Sequence, residues 1–363
     1  MTPASISASE LRAMLEQSRP VRIIDIRRAD DREWTIPESV AVDAYDAVNT
    51  GRLGALEDVA FDSRPAVIVC GRGQTAGRAA ELLRVRGVDA LALEGGMQAW
   101  STAWNTASAV VGGCEVVQVR RTGKGCLSYI VASDGEAVIV DASLAPEIYA
   151  ELLKARGWRL VAVVDTHIHA DHLSRSRRLA NMAGVPVYLP VNDRTCFDFR
   201  PLADLDRIPF GASELVAWRT PGHTPESTTY VLDNNVAFTG DTLFVSGVGR
   251  PDLDGGQAKA RPNAALLYRS VRRLLELPPA TLLLPGHAAA AVPFDNLLLS
   301  STIDAARRMP LLRMKDSEFV TATTDHVQPP PQSHSRITTA NELGEWPDDA
   351  EDLEAGANRC AVA

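Results

Sequence analysis

Apolar residues along the chain recur at two spacings, and the change between them divides the sequence. Near the start, Ser7-Ala-Ser-Glu10 has the form of a capping box, and Leu11, Met14 and Leu15 continue it as an apolar stripe at helical spacing. VRIIDIR (21–27) and AVIV (66–69) are short apolar runs read as buried strands. AAELLRVRG (79–87) reads as a helix closed by Gly87, VDALAL (88–93) as another strand, and EGGMQAW (94–100) as a turn into a further helix. Strands alternating with helices over short connections predict an open parallel α/β sheet.

After STAWNTASAVVGG (101–113) the pattern becomes β-rich. CEVVQVR, CLSYIVAS and EAVIVDAS follow one another across the turns TGKG and SDGE, which predicts an antiparallel meander. LAPEIYAELLKARG reads as a helix, and RLVAVVD (159–165) as a buried strand running into THIHADH (166–172). VPVYLP, SELVAWR, TTYVLD, NVAFTG and TLLLP then read as strands, with SRSRRLANMAG and AALLYRSVRRLLEL as helices. The expected architecture is two sheets with helices on both outer faces. The small, polar, glycine-ended stretch places a linker at 108–113, between a domain at 1–107 and a second at 114–300. Residues 301–363 hold one more helix and an acidic, proline-containing run, expected as a wrapping extension or a partly disordered tail.

At 363 residues the chain has room for two cores. A net charge of −9 argues against nucleic-acid binding, which needs a basic face. No apolar run approaches the length of a membrane span and the N-terminus lacks the build of a signal peptide, so a cytoplasmic protein is expected. Five scattered cysteines, Cys70, Cys114, Cys126, Cys196 and Cys360, without a CxxC, form neither a disulfide framework nor a zinc ribbon.

Cys70 stands where a strand ends and a helix begins, between the apolar run and Gly71-Arg72-Gly73. Glycines let backbone N–H groups turn inward, the helix N-terminus adds positive potential, and Arg72 adds a full charge. Such a cradle stabilises an anion on the sulfur. A second set of polar residues sits just past strand ends: His167, His169, Asp171 and His172 in THIHADH, His223 in TPGHT, Asp241 in TGDTLF and His287 in PGH. Each has an ordinary explanation alone as a turn or loop residue. Together they take five of the seven histidines and point to a metal site. If locally extended, His167 and His169 project the same way and can reach one ion, while Asp171 and His172 would face a neighbouring position. One ion or two both remain open on the residues alone.

Residues 5–105 resemble the rhodanese domain. DIRRADDREWTIPESVAVD is similar to its opening strand and turn, CGRGQT (70–75) to its active-site loop and LEGGMQAW (93–100) to its closing signature. The resemblance implies Cys70 as a persulfide carrier, with Arg72 and the loop residues Gly71, Gly73, Gln74 and Thr75 holding the sulfur. EWTIPES departs from the family's Gly-His-Ile-Pro-Gly turn and is expected to be a surface feature. From about 112 to 300 the chain resembles the metallo-β-lactamase superfamily: THIHADH matches its HxHxDH core, and GHTPES, GDTLF and PGH its later ligand segments. The implied fold class is α/β, a rhodanese-like parallel α/β domain followed by an αββα sandwich with metal at the edge between the sheets.

Two activities are compatible with that superfamily. The full set of ligands could hold two Zn(II) and hydrolyse a thioester, as in glyoxalase II. Persulfide dioxygenases, another branch, are similar to this chain in THxHADH and in Gly249-Arg250-Pro251-Asp252. Carried over, that likeness implies one Fe(II) per chain on His167, His223 and Asp241, the facial triad of non-haem iron oxygenases. His169, Asp171, His172 and His287 would then orient ligands and move protons, and Arg250 and Asp252 would face the substrate. PGHTPES and GVGRPDL differ from the PGHTxG and GRTDF forms of that branch. A sulfur carrier joined to a sulfane-sulfur oxidant favours the dioxygenase reading, with a small thiol persulfide or thiosulfate and O₂ as partners and a homo-oligomer as the expected assembly. Cys360, near the chain's end, is expected to be an exposed incidental thiol; a tail that folds back would instead let it relay persulfide sulfur.

Overall fold

The computed structural model describes residues 5–325, 330, 333–354 and 358–362. In the amino-terminal part, five parallel strands lie in the order Ser5–Ile6, Ala90–Leu93, Ala66–Val69, Arg22–Asp25 and Val40–Ala41. Ser7 caps the first helix, Ala8–Glu16, and Glu10 returns the bond to the Ser7 backbone, so the capping box forms as the sequence predicts. The central strand is entirely buried, as its unbroken apolar run requires in a sheet covered on both faces.

The remainder is a two-sheet sandwich. A seven-stranded sheet runs from Arg200–Leu202 at one edge to Asn105–Val111 at the other, and a six-stranded sheet from Arg207–Phe210 to Ser301–Thr302. Side-chain alternation builds the layers. Val116, Tyr129, Val131, Val138 and Val140 point inward to meet Leu215, Tyr230 and Phe238 of the facing sheet. Their neighbours Val117, Ile130, Ala132 and Ile139 point outward under the helices Pro146–Arg156 and Ser176–Ala183. Helix Gly256–Leu274 covers the other face, starting before the apolar stripe that predicts it and accommodating Pro262 in its interior.

Two expectations are corrected here. Residues 108–113 are not a linker. They complete an edge strand, Asn105–Val111, that pairs residue by residue with Cys114–Arg120 across a Gly112-Gly113 turn whose φ angles are 60° and 82°. Small residues suit such an edge because its outer face needs no bulky packing, and the turn needs glycine's left-handed freedom. EWTIPES is not a surface feature either. Trp34 is only 8% exposed, donates its indole N–H to the Thr122 carbonyl at 2.8 Å, and packs on Ala288 and Val292 of the second domain. Its ring lies over Gly125, where a Cβ would stand 2.6 Å from Trp34 Cη2. Trp34→Phe leaves the Thr122 carbonyl without its donor and is expected to cost about 1–2 kcal/mol, read as a lower urea midpoint at unchanged slope.

Beyond 300, the described residues wrap the sandwich with short helices. Asp316–Thr324 packs on Gly256–Leu274, while His334–Leu343 and Ala350–Leu353 lay Ile337, Ala340, Ala350 and Leu353 on Leu173 beside THIHADH. The wrapping extension therefore covers the predicted metal site. No helix among the described residues is long and apolar enough to cross a membrane.

Candidate metal centre and cysteine loop

THIHADH leaves the carboxyl end of Arg159–Val164, and the other candidates leave the ends of Ser213–Arg219, Val236–Gly240 and Leu282–Pro285. All seven predicted residues come together and are buried. Ligand atoms of His167, His223 and Asp241 lie within 4.8 Å of one another. His223 Nε2 is 3.6 Å and His167 Nε2 4.0 Å from Asp241 Oδ2. Each of these three atoms is buried without a hydrogen-bond partner, an expensive arrangement unless something else fills the space between them.

The opposite ring nitrogens are fixed. Asp141 accepts from the Thr166 hydroxyl at 2.9 Å, so the Thr166 oxygen is left to accept from His167 Nδ1–H at 2.9 Å. His223 Nδ1–H donates to the Arg250 carbonyl at 3.0 Å. Both imidazoles are thereby held with an Nε2 lone pair facing Asp241. Burial pushes the pKa of His167 well below its ordinary value and lowers that of His223, which keeps both rings neutral. The donor set fits a divalent ion bound by two imidazoles and one carboxylate. Thr166→Val removes the acceptor for His167 Nδ1–H and is expected to weaken metal binding by roughly 10–100-fold. Competition with a chelating dye measures this, and unchanged affinity would deny Thr166 its orienting part.

The other four histidine and aspartate side chains are arranged differently. His287 donates from Nδ1 to Asp241 at 2.7 Å and from Nε2 to Asp171 at 2.8 Å. Burial opposes its protonation, but the Asp171 and Asp241 carboxylates outweigh burial and hold its pKa well above the ordinary range, with both ring nitrogens engaged by carboxylates. Asp171 also receives His172 Nδ1 at 3.1 Å and Asn358 at 3.2 Å. His172 is raised to about 10, with burial overcome by Asp171 and then Cys126, and its Nε2 is unpartnered. His169 turns its Nε2 towards Asp141 at 3.3 Å, leaving Nδ1 unpartnered. Arg250 and Asp252 form a buried pair, with two bonds of 2.8 Å, and Arg250 borders a cavity of about 540 Å³ that Trp34, Phe244, His287, Asn358 and Arg359 also line.

Several site residues are not singled out by the sequence pattern. Asp141 stands just past the strand Glu136–Val140, so the strand-end rule that found the histidines also covers it. Cys126 Sγ lies 3.3 Å from Asp171; burial and Asp171 oppose its ionisation, but His172 and His287 outweigh them and bring the thiol to about 7. Asn341 donates to the His169 and His172 carbonyls at 2.8 and 2.9 Å. Cys360 is 1% exposed, not an exposed thiol, and its sulfur lies within 4.8 Å of ligand atoms of Asp241 and His287. Burial pushes its pKa well up.

In the first domain, Cys70 Sγ accepts from the backbone N–H of Gly73 at 3.1 Å and of Ala76 at 3.3 Å. Gly73 has φ 86° and opens helix Gln74–Val85, while Gly96 passes so close beneath the loop that a Cβ would meet the Cys70 carbonyl at 2.2 Å. Thr75 bonds Asn49 at 3.2 Å. The Arg72 side chain is 75% exposed and lies 3.8 Å from Asp352.

A two-sheet sandwich with this cluster at its edge, preceded by a cysteine cradle on a parallel sheet, defines the class: the chain belongs to the metallo-beta-lactamase superfamily and carries a rhodanese-like domain at its amino-terminal end. Residues 7–103 match the rhodanese-like domain, and 121–195 with 196–287 match the metallo-beta-lactamase superfamily. Among characterised relatives, the chain is 35% identical over 212 residues to the human mitochondrial persulfide dioxygenase ETHE1, covering 57% of this chain and 78% of that one. It is 33% identical over 187 residues to hydroxyacylglutathione hydrolase of Cereibacter sphaeroides, covering 50% of this chain and 68% of the relative. Of solved structures, ETHE1 from Myxococcus xanthus matches with TM-score 0.56 and 28% identity over 63% of this chain and 98% of that one. A metallo-beta-lactamase of Staphylococcus aureus matches in fold with TM-score 0.58 and 23% identity, covering 64% of this chain and 73% of the other. These relatives are enzymes of the same fold, with different activities.

Proposed function

We infer that the protein is a sulfur-metabolism enzyme that oxidises the outer sulfur of a small thiol persulfide to sulfite, holding one Fe(II) on His167, His223 and Asp241. The observation that carries this reading is the contrast within the cluster. The three triad atoms converge and are all unpartnered; Cys126, Asp171, His172 and His287 also converge within 4.8 Å, but there the His172 Nε2 alone of the ring and carboxylate atoms is unpartnered, while Asp171 and His287 are bonded to each other. That contrast favours one ion over the two of a zinc thioester hydrolase. Likeness to a named persulfide dioxygenase supports the same side, and the rhodanese-like domain supplies a chemical reason for it.

Fe(II) bound there would supply the electron transfer that activates O₂. The chain's own residues do the rest. Thr166 and the Arg250 carbonyl keep the imidazoles in the ligating tautomer, and the extension over Leu173 keeps bulk water from the cluster. Cationic His172 and His287 attract a persulfide anion. The cavity beside Arg250 has room for the organic part of the thiol. The reaction balances as one persulfide, one O₂ and one water giving one thiol, sulfite and two protons. In the first domain Cys70 carries sulfane sulfur, its charge met by the Gly73 and Ala76 N–H groups.

Elemental analysis with an oxygen electrode tests the reading. One iron per chain and O₂ uptake on glutathione persulfide are expected. Two zinc ions, thioester hydrolysis and no O₂ uptake would sink it. For the first domain, Cys70→Ala is expected to abolish thiosulfate-to-thiol sulfur transfer; absence of transfer in the parent would end the carrier assignment.

A further inference from the structure

A further cavity, of about 420 Å³, lies at the seam of the two domains, apart from the cysteine loop and the metal cluster. Its walls are the first turn of helix Ala8–Glu16, the connecting residues 102–104, and the starts of helices Pro146–Arg156 and Ser176–Ala183. Trp346 of the carboxy-terminal extension closes it. Three helices therefore bring their amino-terminal ends, the positive ends of their dipoles, to one space. Two of those ends carry no side-chain cap. The volume suits a small organic molecule.

The charged groups around it point the same way. Arg121, 1% exposed, and Arg175, 7% exposed, line the cavity and share the single Glu354 carboxylate. Arg12 lines it from the first domain, stacked on Trp104. Its Nη2 meets Glu16 at 3.2 Å, and its Nε is buried without a hydrogen-bond partner. Arg178 forms no ion pair among the described residues and lies over the Trp346 ring at 4.5 Å. Glu147 is the only acid among the described residues that line the cavity. Four guanidinium groups set against the carboxylates of Glu354, Glu16 and Glu147 leave an excess of one positive charge. A partly buried excess of charge is unfavourable unless an anion joins it. Between the arginines the walls are apolar, formed by Ala103, Leu144, Pro146 and Ile148.

We propose that this seam cavity binds an apolar monocarboxylate, a small acid with a medium-chain acyl or aryl body. One carboxylate matches the single excess charge, whereas a phosphate monoester would bring nearly two negative charges and few apolar atoms. The headgroup lies among Arg12, Arg175 and Arg178 at the helix starts, and the body against Leu144 and Ile148. The site is independent of the reaction assigned to the metal centre. Because its walls come from both domains, an occupant ties the first helix of one to two helices of the other and stabilises the folded chain. Arg178 and Trp346 also border a narrow space of about 50 Å³ that reaches His167 and His169. The side chains that hold the occupant thus also close the interior beside the metal ligands.

Fluorescence of anilinonaphthalene sulfonate, an aryl monoanion, tests this on the full-length metal-loaded protein. The dye should bind and be displaced by octanoate, but not by acetate or adenosine monophosphate at the same concentration. Octanoate should also raise the thermal midpoint. Arg178→Glu, at an exposed position, puts an anion beside the headgroup and should weaken octanoate binding roughly tenfold. Ser9→Trp, also at an exposed position, fills the cavity and should abolish displaceable dye binding. Octanoate binding that is unchanged in both variants would put the ligand elsewhere and overturn the site. Acetate as effective as octanoate would overturn the apolar body, and displacement by adenosine monophosphate alone would overturn the monocarboxylate. A parent protein whose dye signal and thermal midpoint ignore octanoate would overturn the proposal outright.

Discussion

His223→Ala is expected to leave the purified protein without bound metal, while His172→Ala keeps one ion per chain. His223 presents one of three convergent unpartnered atoms, and alanine removes both that donor and the Nδ1–H bond to the Arg250 carbonyl that aims it. Removing a direct ligand should exceed the roughly 100-fold upper end of affinity losses seen for residues that only orient ligands. Burial opposes the charge on Asp241, and His287, bonded to it at 2.7 Å, outweighs burial and holds its pKa well below the ordinary carboxylate value. The two variants together separate one ion from two. If the centre held a pair, His172→Ala would drop the count from two to one, because His172 and Asp171 belong to the second position. Metal analysis after dialysis measures both. Retention of a full ion in His223→Ala would overturn the assignment of the triad.

Much of this site is legible in the sequence because its ligands sit at strand ends, and a buried strand is readable from its apolar run. Val236–Gly240 followed by Asp241, or Leu282–Pro285 followed by His287, shows where a side chain leaves the sheet edge. Cys70 is legible for the same reason, between a buried strand and a glycine-bearing helix start. Local pattern does not reveal which of seven clustered groups bond one another. His287 becomes a cation spanning two carboxylates only when Asp171 and Asp241, far apart in sequence, are brought to either side of it. Trp34 reads as part of a surface turn because its partners, Thr122 and Gly125, belong to the other domain. The stretch around 101–113 reads as a seam because an edge strand with an exposed face carries the small polar residues of a linker. The carboxy-terminal residues are the hardest case. Asp352, Glu354 and Asn358 lie in or beside an acidic run that composition assigns to solvent, yet each meets a specific partner near a reactive centre.

Glu354→Gln is expected to destabilise the protein by about 3–5 kcal/mol at neutral pH, the usual cost of removing one partner from a buried ion pair. The Glu354 carboxylate is 2% exposed and lies against both Arg121 and Arg175, with an oxygen 2.6 Å from Arg175 Nη2 and another 3.2 Å from Arg121 Nη1. Glutamine keeps the shape and can still accept from the Leu173 N–H, but it leaves two buried guanidinium groups without their anion. Burial opposes ionisation of Glu354, and Arg121 and then Arg175 overcome burial and hold its pKa well below the ordinary 4.5. A depressed folded-state value means that the contribution is fully present above the unfolded pKa and is lost as pH falls through the folded one. The stability gap between parent and Glu354→Gln should therefore be constant from pH 7 to about 5 and narrow steadily below about pH 4.5. Urea unfolding across that range measures it. A gap that stays the same at pH 3 would mean that the loss is one of packing rather than charge.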